Sequence, residues 1–161
     1  NTCLNFWDER FYFFHSTNTL KIEKGCIPTM PAIHSVEKNS RLIITKWEGD
    51  AVDTELINAI SNYQKDMQIN PEYVGYNEIV DFSEVKSIKL TPEGIMHVGK
   101  IASRTDADKG KTKLALVVTS SLAFGLARMY IAYRNFDKKS NKEMRIFKKT
   151  NDALEWVSDD T

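Results

Sequence analysis

The sequence contains little cysteine and no long apolar run. Cys3 and Cys26 are its 2 cysteines among 161 residues, and both precede Met30. So few thiols exclude a disulfide framework and a thiolate metal centre. No stretch reaches the roughly 18 consecutive apolar residues that a membrane-spanning helix needs. We therefore expect no membrane span, and a reducing, cytoplasmic location.

The sequence also lacks net charge. Its 22 basic and 22 acidic residues cancel, so it has no basic surplus of the kind that binds nucleic acid. Apolar residues make up 42% and charged residues 27%, values typical of a soluble globular protein and not of a disordered chain. This composition predicts one folded domain without a nucleic-acid partner.

Residues 1–29 differ in character from the rest. Six aromatic residues lie between Phe6 and Phe14, but charged residues interrupt them at positions 8–10, unlike the apolar core of a signal peptide. Clear periodic patterning starts only after Met30. We expect residues 1–29 to be either an added arm or a segment upstream of a natural start at Met30, and favour the second. The domain itself is predicted over residues 30–161.

The pattern after Met30 predicts alternating strands and helices. A hairpin over 32–47, closed by Gly49-Asp50, precedes a helix capped by Asp53-Thr54. There follow a strand at 76–82, a helix at 92–103, a buried strand in TKLALVVTS, a helix at 120–136, a strand in NKEMRIFKK and a closing helix capped by Thr150 or Asn151. This order predicts an α/β fold, with a mixed sheet of about five strands and about four helices packed against it.

No catalytic or metal-binding motif stands out. His15, His34 and His97 have no second histidine, cysteine or paired carboxylate at the spacing of a metal site or a catalytic triad. The segment Gly110-Lys111-Thr112 resembles the end of a phosphate-binding loop but leads into a strand instead of a helix. We therefore expect no catalytic residues, no metal and no cofactor, and a protein that is not an enzyme.

The most distinctive stretch is VDFSEVKSIKLTPEG at residues 80–94. A strand ends there in Asp81-Phe82-Ser83, and a helix opens at Thr91-Pro92. This arrangement resembles the anti-sigma-factor antagonist (STAS) fold, in which Asp-Leu-Ser ends a central strand and a phosphorylatable Ser ten residues after the Asp caps the next helix. The position ten residues after Asp81 is Thr91.

Two later segments, KLALVVTSSLAFGLARMY and RIFKKTNDALEWV, look like the SpoIIAA-like and Sec14-like branch of bacterial STAS-like proteins. The resemblance extends over about residues 33–158. It implies a single STAS-like domain with a non-enzymatic binding function, as a regulatory or protein-interaction module. The alternative it implies is a carrier of a lipid or another small apolar ligand, in a Sec14-like manner.

The same resemblance implies a contact site around Thr91, either as phospho-acceptor or as helix cap, with Asp81, Ser83 and Lys89 beside it. A hydroxyl at a helix N-cap lies near unsatisfied N–H groups and the positive end of the helix dipole, which favour phosphate. The family's Asp-Ser-Ser-Gly is here Lys-Leu-Thr-Pro, and Pro92 removes one N–H donor. An ordinary cap therefore stays open as the second interpretation.

The helix at 120–136 shows two apolar stripes about 180° apart. One contains Leu122, Leu126, Met129 and Tyr133, and the other contains Phe124, Ala127 and Ile131. One sheet face cannot bury both. The surplus residues, drawn from Phe124, Ala127, Ile131, Leu122 and Leu126, predict a surface for a protein partner, for a second copy in a homodimer, or for an apolar ligand held between helix and sheet.

Overall fold

A computed structural model describes residues 31–105, 111–136 and 141–159. In chain order the strands are β1 (Ala32–Glu37), β2 (Leu42–Trp47), β3 (Gly49–Val52), β4 (Asn77–Asp81), β5 (Val85–Lys89), β6 (Thr112–Val117) and β7 (Lys142–Phe147). The helices are α1 (Asp53–Ile69), α2 (Pro92–Ala102), α3 (Ser121–Phe136) and α4 (Thr150–Ser158). Both cysteines and the predicted 1–29 extension lie outside the described residues.

Five strands form a mixed sheet in the order β1-β2-β4-β6-β7. The hairpin pairs β1 antiparallel to β2, whereas β2, β4, β6 and β7 run parallel to one another. Arg41 takes a positive φ of 49° in the hairpin turn. The α/β fold, with a mixed sheet of five strands and four helices, is confirmed.

The sheet is buried on both faces because its parallel strands are covered by helices on both sides. Successive side chains of a strand point to opposite faces. On β6, Ala115 and Val117 therefore pack toward Ala153 and Val157 of α4. Leu114 and Leu116 pack on the other face, against α3. The apolar run in β6 is thus an interior strand, as its composition predicts.

Helices α1, α2 and α3 lie side by side, with α2 in contact with both others. Gly99 allows the close approach of α2 to α3: a Cβ atom there would lie 2.6 Å from Cδ1 of Tyr133. Helix α4 instead contacts β4, β6 and β7 on the opposite face. Helices α1, α2 and α3 therefore cover one face of the sheet, and any space left between them and the sheet lies on that face.

A second, two-stranded parallel sheet pairs β3 with β5. The sequence predicted otherwise: Gly49-Asp50 was expected to close the hairpin, and no strand was expected between Ser83 and Thr91. The two strands are short, and α1 and β4 separate them in the sequence. Neither segment therefore has its pairing partner nearby in the chain. Ala51 of β3 is fully buried against Trp47.

The predicted caps of α1 and α4 were wrong. Val52 and Lys149 occupy the two N-cap positions, and neither makes a side-chain cap hydrogen bond. Asp53 and Thr150 instead direct their side chains to other elements. These polar residues connect helices to their neighbours and do not cap their own helix.

Candidate ligand cavity

Thr91 is the N-cap residue of α2. Its Oγ1 accepts a hydrogen bond from the Gly94 amide at 3.0 Å. The same hydroxyl donates to Oδ2 of Asp53 at 2.6 Å, and the Thr91 amide donates to Oδ1 of Asp53 at 2.9 Å. Thr91 thus joins the first turns of α1 and α2.

Asp81 belongs to a different network, on the α4 side of the sheet. Its Oδ1 accepts from the Ser83 amide at 2.8 Å, and its Oδ2 accepts from Oγ1 of Thr150 at 2.8 Å. Burial raises the pKa of Asp81, but the hydrogen bonds from Ser83 and Thr150, together with the Lys46 charge, outweigh it, so the pKa is lower than usual.

The four residues predicted around Thr91 therefore divide between two places. Asp81 and Ser83 connect the end of β4 to α4, whereas Thr91 connects α2 to α1. Lys89, the last residue of β5, is exposed. The hydrogen bonds of Asp81 and Thr91 go to partners on opposite faces of the sheet.

On α3, the buried face differs from both predicted stripes. Its buried residues are Ala123, Ala127 and Arg134. Leu122 is 58% exposed and Phe124 is 38% exposed. Leu126 and Ile131, the other two predicted surface residues, are half-buried. Small side chains and one arginine thus face the sheet, and the exposed Leu122 and Phe124 lie on opposite flanks of the helix.

A cavity of about 150 Å³ lies between the sheet and α1, α2 and α3. Every one of the three helices contributes alanine to its lining: Ala59, Ala102, Ala123 and Ala127. Protein interiors are normally packed with few voids larger than a water molecule. The cavity therefore exists because alanines occupy positions where larger side chains would fill the core.

One end of the cavity is apolar and lies near the C-terminal ends of the parallel strands. We define this apolar end by the lining residues Trp47, Leu56, Phe82, Val118 and Ala123. The Trp47 and Phe82 rings are 5.8 Å apart between centroids. The indole N–H of Trp47 donates to the Asp50 carbonyl at 3.3 Å, so the polar atom of Trp47 is satisfied within the protein.

The other end is polar and lies near the N-terminal ends of the same strands. We define this polar end by the lining residues Gln64, Glu78, Tyr130, Arg134 and Lys142. The strand register aligns Glu78 with Leu114, and Lys142 with Thr112. Because a helix that connects parallel strands runs back along the sheet, the C-terminal halves of α1 and α3 reach this end.

The polar end contains buried charge. Arg134 is only 2% exposed, and its Nη1 donates to Oη of Tyr130 at 2.6 Å. Lys142 forms an ion pair with Glu78, both side chains being largely buried. Charged groups so poorly hydrated need hydrogen-bonding partners, because transfer from water is costly. These contacts hold both cations at fixed positions in the cavity lining.

His34 and Thr45 line the cavity on the hairpin side. Nδ1 of His34 lies 2.8 Å from Oγ1 of Thr45, and the imidazole ring lies 5.5 Å from the Tyr63 ring between centroids. Although His34 keeps an exposed edge, burial against these groups lowers its pKa, and the Asp66 and Glu78 carboxylates offset this only in part. The lower pKa favours the neutral imidazole.

Within residues 31–105, 111–136 and 141–159, no three histidine, cysteine, aspartate or glutamate side chains come together as a metal site. In the same ranges, every helix is too short or too polar to cross a lipid bilayer.

No protein-family model matches the chain, and no curated protein matches it. Among solved structures, the chain matches an uncharacterized protein of the DUF3478 family from Shewanella loihica PV-4, described as having a SpoIIAA-like fold. The chain is similar to a SpoIIAA-like protein. The two share 14% sequence identity, the match covers 78% of this chain and 91% of that chain, and the TM-score is 0.46. The similarity concerns the fold and assigns no role to any residue.

Sequence reasoning missed the polar end altogether. Its five residues come from α1, β4, α3 and β7, so no local motif contains them. One signal was present in α3: Ala123, Ala127, Tyr130 and Arg134 recur at helical spacing and form a stripe of two alanines, a tyrosine and an arginine. A charged residue on a small-residue stripe indicates a polar group that faces the interior.

Proposed function

We propose that this STAS-like domain is a non-enzymatic carrier that binds a small molecule with an apolar body between the sheet and α1, α2 and α3. The observation that supports this function best is the cavity of about 150 Å³, lined by alanines and apolar side chains. An apolar cavity of about this size in another protein takes up benzene. The sequence resemblance to the Sec14-like branch supports the same function, which we place in the cytoplasm.

Size restricts the ligand. Sites for drug-sized molecules usually measure roughly 300–1,000 Å³, and the cavity of about 150 Å³ is smaller. The apolar body is therefore one ring or a short hydrocarbon chain. A whole lipid would require α2 and α3 to separate, and the tight contact between them at Gly99 opposes that movement.

The proposed function is binding without chemistry. Glu78 is paired with Lys142, and Nδ1 of His34 faces the Thr45 hydroxyl. These pairs occupy the groups that a general base or acid would use on a substrate. We therefore assign the cavity lining a role in retention of a ligand.

Titration of the full-length, ¹⁵N-labelled protein with neutral 2-phenylethanol tests this function. We expect amide shifts at residues that line the cavity. Ala127→Met should remove them by filling the space, whereas Ala132→Met, at an exposed position of the same helix, should leave them unchanged. Shifts that survive Ala127→Met, or no saturable shifts at all, would contradict the carrier function.

A protein-interaction module is the second candidate, and exposed apolar residues of α2 and α3 favour it. Leu122 is 58% exposed and Phe124 is 38% exposed, and Met96 of α2 is 47% exposed. Large apolar side chains that stay exposed can mark association sites. Sedimentation equilibrium should then show self-association that Phe124→Asp weakens at least tenfold and Ala132→Asp does not. A protein that stays monomeric at all concentrations would exclude the homodimer.

A regulatory form of this second candidate uses Thr91 as its contact. Its exposed hydroxyl is bonded to Asp53, so a phosphate added there would bring two negative groups into contact. Modification would then act by separating the first turns of α1 and α2. Asp53 is itself negative, so it offers the phosphate no counter-charge. Lys89, two residues earlier in the sequence, is exposed on β5.

A further inference from the structure

We propose that the ligand is an organic anion whose acidic head group binds at the polar end of the cavity and whose apolar body extends toward Trp47 and Phe82. This inference rests on the proposed function and specifies the chemistry of its ligand. It follows from the unequal distribution of polar groups along the cavity and from the sign of their charge.

The distribution makes the cavity amphipathic. Gln64, Glu78, Tyr130, Arg134 and Lys142 approach from α1, β4, α3 and β7 at the N-terminal ends of the parallel strands. The apolar end lies at the C-terminal ends of those strands. A purely apolar ligand would place apolar groups against the charged side chains of the polar end, whereas an amphipathic ligand matches both ends at once.

The sign of the charge favours an anion. Among the described residues that line the cavity, Arg134 and Lys142 are cationic and Glu78 alone is a carboxylate. A guanidinium group has five N–H donors and an ammonium group has three. Both groups can therefore serve a ligand's head group in addition to their partners in the protein. Charge-assisted hydrogen bonds of this type are roughly twice as strong as neutral ones.

The location of Arg134 strengthens the argument. It is 2% exposed, and the bond to Tyr130 fixes its planar fork from the same helix. A rigid guanidinium group matches the two oxygens of a carboxylate, or of a phosphate, better than a flexible ammonium group does. An ammonium head group would instead meet two cations and only one carboxylate there. The expected order of affinity is anion, then neutral molecule, then cation.

Three ligands of equal carbon number provide the test: phenylacetate, 2-phenylethanol and 2-phenylethylamine. At pH 7 their head groups are anionic, neutral and cationic. Isothermal titration calorimetry on the full chain should show phenylacetate binding at least tenfold more tightly than 2-phenylethanol, and the amine binding most weakly. Tenfold corresponds to about 1.4 kcal/mol, within the strength of one charge-assisted hydrogen bond.

Variants of α3 test whether Arg134 causes the preference for the anionic ligand. Arg134→Met should reduce the ratio between phenylacetate and 2-phenylethanol to within about twofold, and Arg134→Lys should retain part of it. Arg128→Met is the matched control, because Arg128 is exposed on the same helix, and it should keep the full ratio. If Arg134→Met does not fold, the three-ligand series on the unaltered chain still decides.

The outcomes separate the two proposals. Equal affinity for the three ligands, or tightest binding of the amine, overturns the anionic head group and leaves the carrier function standing. Binding of none of them, including the neutral alcohol, overturns the carrier function and this inference with it. A ratio that survives Arg134→Met also overturns the role given to the polar end.

Discussion

Asp53 and Thr91 join the N-terminal ends of α1 and α2 through two hydrogen bonds that use both oxygens of one carboxylate. The Thr91 amide donates to Oδ1 at 2.9 Å and the Thr91 hydroxyl donates to Oδ2 at 2.6 Å. The two residues are 38 positions apart in the sequence. Because both helices line the cavity, this pair fixes the relative position of two of its sides.

Replacement of Thr91 by valine, which keeps the branched shape, should lower the free energy of unfolding by about 1–2 kcal/mol. The variant loses the cap bond to Gly94 and the donated bond to Asp53. Urea denaturation measures the change. Thr54→Val, at an exposed position beside Asp53, should change stability by less than about 0.5 kcal/mol. Equal effects of the two variants would show that the Asp53–Thr91 pair contributes nothing.

Gly94→Ala should destabilise the protein, because the new Cβ would lie 2.1 Å from Oδ1 of Asp53. The Asp53 carboxylate must then move and release Thr91. Gly125 of α3 provides the opposite case, since a Cβ there meets nothing within 4 Å. Gly125→Ala should stabilise by roughly 0.5–1 kcal/mol through helix propensity. Thermal unfolding of both variants measures the contrast, and a Gly94→Ala variant as stable as the parent would contradict it.

A negative charge at position 91 should weaken the joint between α1 and α2. Thr91→Glu is expected to be less stable than the neutral, isosteric Thr91→Gln, because only the first places a second carboxylate beside Asp53. The difference should shrink as salt is added, since exposed charges are screened. Urea midpoints at low and high salt measure it. If Thr91→Glu matches or exceeds Thr91→Gln in stability, a phosphate at Thr91 does not open this joint.

The pH dependence of stability should contain a contribution from Asp81. Its pKa is lower in the folded protein than its ordinary value, so at acidic pH the unfolded chain binds more protons there. This stabilisation is fully present above the ordinary pKa of about 4. It is lost as the pH falls through the lower, folded-state pKa.

Thr150→Val removes one hydrogen bond to the Asp81 carboxylate and should raise its pKa toward the ordinary value. The variant is expected to be less stable than the parent at pH 7, and this deficit should shrink as the pH falls below about 4. Denaturant titrations at several pH values measure both curves. Thr119→Val, at an exposed position, should run parallel to the parent. A parallel curve for Thr150→Val would exclude the Asp81 contribution.

The sequence predicts the main sheet and all four helices because the apolar residues of each element follow the pattern of a strand or of a helix. It does not predict β3 and β5, since strands of only 4 and 5 residues gain their stability from pairing with a distant segment. The caps were assigned wrongly for a related reason. Asp53 and Thr150 have the side chains of cap residues, but their hydrogen-bonding partners come from other parts of the chain.

The cavity was harder to predict than the fold. Large apolar residues on α3 suggested the buried faces, yet Leu122 and Phe124 are exposed while Ala123 and Ala127 face the sheet. The cavity exists because small side chains leave space that larger ones would fill. A search for hydrophobic patterns gives alanine little weight and so does not reveal such a space. The predicted surface for an apolar ligand between helix and sheet stays a prediction. It lies in the same region as the cavity, but it did not include Arg134 and so missed the polar end.

The most direct test of the account is an isotope-filtered NOE measurement on the full-length labelled protein with bound 2-phenylethanol. We expect NOEs from the ring protons to the Ala127 methyl group and the Trp47 indole, both of which line the cavity. Ring NOEs confined to Leu122 or to Phe124, which are exposed on α3, would contradict a ligand cavity and identify an exposed part of α3 as the binding site.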